Sequence, residues 1–205
     1  MSPYRRAISL TAANAGCDRA GAAIVRGVSF SLAPGEGMQL FGPNGSGKSS
    51  LLSMFAGLIR PVEGVLEWRL DGAVSNAAPA GGVFFLGHDA SVKPALTAEE
   101  NLRFWAQVNG GGDVGAALNA VDGASFRHLR AGRLSAGQRR RVDLARALLV
   151  DREVWLLDEP TAAIDRDGVA VIRKLIDDHL SRGGIAIVAT HDDLGDGFKR
   201  LELAR

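Results

Sequence analysis

The chain has 205 residues, of which 46% are hydrophobic and 23% charged, with a formal net charge of +1. That balance excludes a disordered chain and gives no bulk electrostatic reason to expect a nucleic-acid partner. A single cysteine, Cys17, excludes an internal disulfide, and no apolar run approaches the ~18 residues that cross a bilayer.

The N-terminal stretch MSPYRRAISLTAANAG carries two arginines but no apolar core of the kind a secretory signal needs. Any membrane role is therefore expected to come through another subunit. Residues 37–41 predict a strand entering the glycine-rich stretch FGPNGSGKSS. Residues 48–58 predict a helix leaving it, with Leu51, Leu52, Met54, Phe55 and Leu58 on a broad apolar face and Arg60-Pro61 as its stop. Short apolar runs at 83–86, 154–157 and 185–189 have the length of buried strands. Helix-like patterns cover 98–108, 136–150 and 168–180, the last ending at Arg182-Gly183-Gly184. The alternation predicts an α/β fold. A core from about residues 1–87 and 150–205 would enclose a helical insertion at about 88–140, all in one domain.

Gly42, Gly45, Gly47, Lys48 and Ser49 fit G-x-x-x-x-G-K-[ST], the phosphate-binding loop. Glycines let backbone amides turn toward an anion without a Cβ in the way. The helix that follows adds unpaired N–H groups and the positive end of its dipole. Lys48 would reach the β- and γ-phosphates of a nucleoside triphosphate, and the Ser49 hydroxyl would ligate Mg2+. Such a loop by itself serves kinases, GTPases and motor ATPases alike. VWLLDEP narrows the choice, because an apolar strand there delivers two adjacent carboxylates at its C-terminal end. Asp158 is placed to hold Mg2+, and Glu159 to polarise an attacking water as general base.

A second anion site is written in LSAGQRRRVDLARALL. Ser135 can cap the helix that follows, and Gly137 keeps the approach to its first turn open. This site lies far along the chain from the phosphate loop. Two anion sites for one nucleotide are most economically explained if each chain offers one half to a partner.

The order GPNGSGKS, LSAGQ, LLDEP and then a histidine after the strand of IAIVATHDD resembles the nucleotide-binding domain of ABC transporters. The resemblance spans roughly residues 25–195. It implies a P-loop NTPase core with an inserted helical subdomain, ATP and Mg2+ as ligands, and a homodimer. By that resemblance Gly42, Pro43, Asn44, Gly45, Ser46, Gly47, Lys48, Ser49 and the adjoining Ser50 bind ATP. Asp158 and Glu159 match the Walker B pair. Ser135, Gly137 and Gln138 match the signature that contacts ATP held by the opposite subunit. Residues 162–165, AAID, match the loop that crosses the dimer interface, and His191 matches the switch histidine. Glu159, His191 and Lys48 would then be the catalytic residues.

Two positions depart from the family pattern. Counting back from LTAEENL puts His88 where a glutamine normally touches Mg2+ and the membrane subunit, which makes His88 a candidate metal ligand. The aromatic residue that usually stacks on adenine is expected near residues 15–20, where the chain has Cys17, Asp18 and Arg19. Ile24 or Val25 is left to make a weaker apolar contact. The Gly-His pair, the arginine-rich stretch after LSAGQ and the short C-terminal end resemble the branch that serves cytochrome c maturation. That branch implies a peripheral subunit at the cytoplasmic face of a bacterial inner membrane, driving integral membrane subunits in haem export or haem-chaperone release. Lipoprotein release and nutrient uptake are the alternative cargoes within the family. In the family, residues 91–104 lie near where membrane subunits dock, which makes Phe104 and Trp105 contact candidates. None of the histidines, 88, 128, 179 and 191, has a C-x-x-C-H context for haem. Arg139, Arg140 and Arg141 point in different directions on a helix and read as a solvated face rather than a nucleic-acid site.

Overall fold

A computed structural model describes residue 4, residues 6–19 and residues 21–203. The chain divides into two compact units. One contains the described residues up to Phe85, together with Arg152–Glu159 and those from Asp178 onward; the other contains Leu86–Asp151 and Pro160–Asp177.

The first unit holds two sheets. Strands β1 (Ile8–Arg19) and β2 (Ala22–Leu32) are followed by β3 (Gly37–Phe41) and helix α1 (Lys48–Phe55). Then come β4 (Glu63–Leu70), β5 (Ala73–Ser75), β6 (Val83–Leu86), β7 (Val154–Asp158), β8 (Ile185–Ala189) and β9 (Phe198–Glu202). The order β2-β1-β4-β5 makes an antiparallel sheet, and β6-β7-β8-β3-β9 makes the second. In the latter β7, β8, β3 and β9 run parallel. All five residues of β7 and of β8 are buried, the signature of strands covered on both faces. The strand ends are level: Asp158 pairs with Ala189, Ala189 with Leu40, and Leu40 with Leu201. The hydrophobic core joins the two sheets through α1, with Leu51, Leu52, Phe55, Trp68, Leu156 and Ile187 all essentially buried.

The antiparallel sheet is the part that periodicity did not reveal. Strand β1 reads ISLTAANAGCDR, a run of small and polar residues with low strand preference. Its pairing is broken by register shifts between Ala12 and Cys17, and Asn14 sits at φ 50°, so strict alternation is lost.

The second unit contains α2 (Ala98–Val108), α3 (Val114–Ala120), α4 (Ala136–Ala145) and most of α5 (Arg166–Ser181). Thr97 and Glu100 form a capping box on α2, and Ser135 and Gln138 form one on α4. Hydrogen bonds from the Thr97 backbone and side chain hold the Glu100 carboxyl below its usual range. Burial then decides what the loop before α2 does. Asn101 is 2% exposed; it accepts from Lys93 N at 2.7 Å and donates to the oxygens of Lys93 and Thr97 at 3.1 and 2.9 Å.

Helix ends differ from the sequence-based expectation. α1 stops at Phe55 rather than residue 58, because Gly57 turns left-handed (φ 76°) and leaves Leu58 68% exposed. α4 gives way to a 3-10 turn at Arg146–Leu148 instead of running to residue 150. The expected solvated arginine face is overturned. Arg140 is 4% exposed and donates to Gly87 O at 2.6 Å and His88 O at 3.3 Å, while Arg141 pairs with Asp165 at 2.6 Å. The buried guanidinium thus finds its acceptors in two backbone carbonyls on the chain after β6. Among the described residues, no helix is long and apolar enough to cross a membrane.

Removing the Asn101 amide breaks its part-buried hydrogen bonds to the backbone of Lys93 and Thr97. Asn101→Ala is expected to lower unfolding stability by about 2 kcal/mol, read as a lower urea midpoint.

Candidate nucleotide site

The site in the first unit begins where β3 ends. Gly42, Gly45 and Gly47 have φ of 143°, 83° and 99°, so the chain curls into a loop that L side chains resist. A Cβ on Gly42 would lie 2.5 Å from Leu203 O and 2.6 Å from Ser46 Oγ; one on Gly47 would lie 2.5 Å from Val25 Cγ2. The loop is closed by Ser46 N donating to Pro43 O at 3.1 Å. Lys48, 7% exposed, donates its ammonium to Gly42 O at 2.7 Å and Pro43 O at 3.3 Å. Its charge therefore sits inside the ring of loop backbone. Helix α1 starts at Gly47 without a side-chain cap, leaving its first N–H groups pointing toward the loop.

The residues fit a nucleotide's phosphates. Ser46 Oγ is buried and has no hydrogen-bond partner among the described residues, a polar atom that wants an oxygen. Pro43, Asn44, Gly45 and Ser49 are exposed, whereas Ser50 is buried beneath them. For Mg2+, the unit offers hard oxygen donors: the exposed hydroxyl of Ser49 and the carboxylate of Asp158, which is 3% exposed at the end of β7. No three His, Cys, Asp or Glu side chains converge on a metal site among the described residues, so an ion here needs phosphate and water oxygens as well. His88 is exposed and belongs to the second unit.

Glu159 follows Asp158 at φ 50° and is tied by its N–H to Ala189 O at 2.7 Å. Across the level strand ends, His191 Nε2 lies 3.5 Å from Glu159 Oε1 and 3.2 Å from Asn44 Oδ1. Both neighbours are acceptors, so the contacts become donated hydrogen bonds when Nε2 carries the ring proton. Three segments of the chain, after β3, β7 and β8, meet on this imidazole.

Gln39 is a residue that motif reasoning missed. It is fully buried in β3, donates to Asp192 O at 2.6 Å and Thr190 O at 3.4 Å, and accepts from Leu194 N at 3.3 Å. Its amide thus staples the loop that carries His191. The only available hint was a glutamine inside an otherwise apolar strand.

In the second unit, Ser135 Oγ accepts from Gln138 N at 3.1 Å, and Gln138 Oε1 accepts from Ser135 N at 2.9 Å. The serine O–H proton is used in neither bond. Gly137 is required for a different reason than open access: a Cβ there would lie 2.4 Å from Ala163 O. An open cleft of about 530 Å³ is lined by Ser135, Gly137, Gln138, Arg141, Ala163 and Asp165. Residues 162–165 therefore share a wall with the LSAGQ segment. Phe104 is 39% exposed beneath the Lys93 ammonium, 4.3 Å from the ring centre, and Trp105 lies under the Arg146 guanidinium at 4.0 Å.

The sequence profile described as ABC transporter matches residues 25–162. The chain belongs to the ABC transporter family. The "Cytochrome c biogenesis ATP-binding export protein CcmA" of Paracoccus denitrificans is 48% identical over 177 residues, covering 86% of this chain and 80% of the relative. The protein of the same name from Paramagnetospirillum magneticum is 40% identical, covering 95% and 94%. Among solved structures, a putative ABC transporter ATP-binding protein from Pyrococcus furiosus superposes with TM-score 0.82 at 26% identity, covering 95% of this chain and 97% of the other. An ATP-binding cassette solved as a dimer in a post-hydrolysis state with ADP and Pi gives TM-score 0.78 at 25% identity, covering 96% and 97%. The α/β P-loop fold of this ABC-family chain is thus the one expected from its motifs.

Gln39→Leu keeps the side-chain volume but frees the 190–194 loop. Its nucleotide turnover is expected to fall roughly tenfold, with nucleotide affinity changed less than threefold, in steady-state and equilibrium-binding assays.

Proposed function

We propose that the chain is the ATP-hydrolysing subunit of an ABC complex for cytochrome c maturation, in which it drives integral membrane subunits in haem export or haem-chaperone release. The observation that carries the hydrolytic part is the His191 contact with both Glu159 and Asn44 beside the phosphate loop. The cytochrome c part is supported by relatives of 40–48% identity named for that process. The chain works as a peripheral homodimer at the cytoplasmic face of the inner membrane, with no nucleic-acid partner.

The phosphates rest on the backbone N–H groups of residues 42–50, and Lys48 neutralises charge on the β- and γ-groups. Ser49 and Asp158 would hold Mg2+, which when bound would screen the phosphate oxygens. Glu159 accepts a proton from the water that attacks the γ-phosphorus, as the bond to the β-phosphate oxygen breaks and ADP leaves. His191 donates from Nε2 and holds the Glu159 carboxylate in line. Ser135, Gly137 and Gln138 of one copy close over the γ-phosphate held by the other, so that binding shuts the dimer and hydrolysis reopens it. The dimeric cassette with ADP and Pi supports that arrangement.

Glu159→Gln keeps the size of the group and removes its basicity. Turnover is expected to fall at least 100-fold while an ATP-bound dimer persists in size-exclusion chromatography; unchanged turnover would remove Glu159 from the reaction. Membrane pull-down through this chain is expected to recover integral subunits of cytochrome c assembly. Recovery of lipoprotein-release or nutrient-uptake subunits instead would reassign the cargo.

A further inference from the structure

A second cleft in the first unit adjoins the phosphate loop. It measures about 520 Å³, and its walls include Ile24, Val25, Arg26, Ser29, Ser46 and Glu202. Ser46 belongs to both the loop and the cleft, and Ile24 and Val25 fill the space a Cβ on Gly47 would take. A nucleotide held by its phosphates at residues 42–49 would direct its sugar and base toward this space. None of the residues lining the cleft is aromatic, so an aromatic stack on the base has no source there.

Arg26 brings a guanidinium plane to these walls, and three of its five in-plane N–H groups are engaged in hydrogen bonds. Nη1 donates to Val25 O at 2.9 Å and to Cys17 O at 3.1 Å, Nη2 donates to Asp18, and Nε lies 3.8 Å from Glu63 Oε2. These contacts hold the edge of the guanidinium and fix its plane, while 40% of the side chain remains exposed. With its edge engaged, the group offers its faces, and a guanidinium face stacks on π-systems. The two flanking carboxylates offset its charge, so it adds little attraction for phosphate.

From this we infer that the Arg26 guanidinium plane is the stacking surface for the nucleobase of the bound nucleotide, in the cleft that Ile24, Val25 and Ser46 line. The inference rests on the ATP reading above and deepens it: Arg26 reads the face of the base, and the loop reads the phosphates.

The test separates base from phosphate. Equilibrium binding of Mg-ATP and of Mg-tripolyphosphate, which has no base, is measured for the unaltered chain and for Arg26→Ala, Arg26→Lys and Arg26→Tyr. Loss of one stack is expected to weaken ATP roughly tenfold in Arg26→Ala and Arg26→Lys, leaving tripolyphosphate unchanged. Arg26→Tyr loses the same in-plane hydrogen bonds yet restores a planar face, so its ATP affinity is expected to return to within about threefold. That recovery separates stacking from mere bracing of the β1–β2 turn. Wild-type affinity in Arg26→Lys or Arg26→Ala, equal weakening of both ligands, or no recovery in Arg26→Tyr would overturn the role of Arg26 and leave the ATP reading standing. If the unaltered chain binds neither ligand, the ATP reading itself fails, and the stack fails with it.

Discussion

The site depends on a cation held among backbone dipoles. The Lys48 ammonium donates to Gly42 O and Pro43 O from a nearly buried position, and the ring of peptide groups around it exists only because the chain turns left-handed at three glycines. A side chain on Gly42 would strike both the carbonyl of Leu203 and Ser46 Oγ. The chain after β9 thus forms the floor of the loop, and Leu203 N returns a hydrogen bond to Phe41 O at 2.9 Å. Backbone this tightly constrained is preorganised to bind an anion, and little reorganisation is needed when one arrives.

Parallel strands then do the positioning. Because Asp158, Ala189 and Leu40 pair across the sheet, the loops that leave β7, β8 and β3 start from one edge at one height, the usual place for ligands in open α/β sheets. Glu159, His191 and Asn44 lie within the first three residues of those loops, so they meet with no long side chain having to reach. Gln39 reinforces the edge from below, its buried amide bonded to the loop that carries His191. Its cost of burial is offset by three hydrogen bonds.

Much of this was legible in the sequence. The runs at 37–41, 83–86 and 185–189 became strands with those bounds, because fully buried parallel strands are unbroken apolar stretches. The α/β class and the ABC family followed from motifs whose spacing is set by phosphate geometry. The antiparallel sheet was not legible, since Ala, Asn and Gly in β1 hide alternation and its bulges break the period. Arg140 was misread for a related reason. Charge suggests solvent, but the Arg140 guanidinium is buried and donates to the backbone carbonyls of Gly87 and His88. The roles of Gln39 and Arg26 depend on partners more than 150 and up to 37 residues away in the chain, respectively, and no local pattern encodes such pairs.

In the function proposed above, the half-site around Lys48 and the half-site around Ser135 act on one nucleotide shared between two copies of the chain. Mixing two inactive variants tests this most directly. Lys48→Ala spoils the phosphate loop, and Ser135→Arg blocks the signature helix start. In a mixed dimer, one of the two composite sites pairs an intact loop with an intact helix start. With subunits free to exchange, the mixture is expected to recover ATP hydrolysis that neither variant shows alone. A mixture as inactive as its components, under conditions where unaltered chains exchange and hydrolyse ATP, would contradict the shared site.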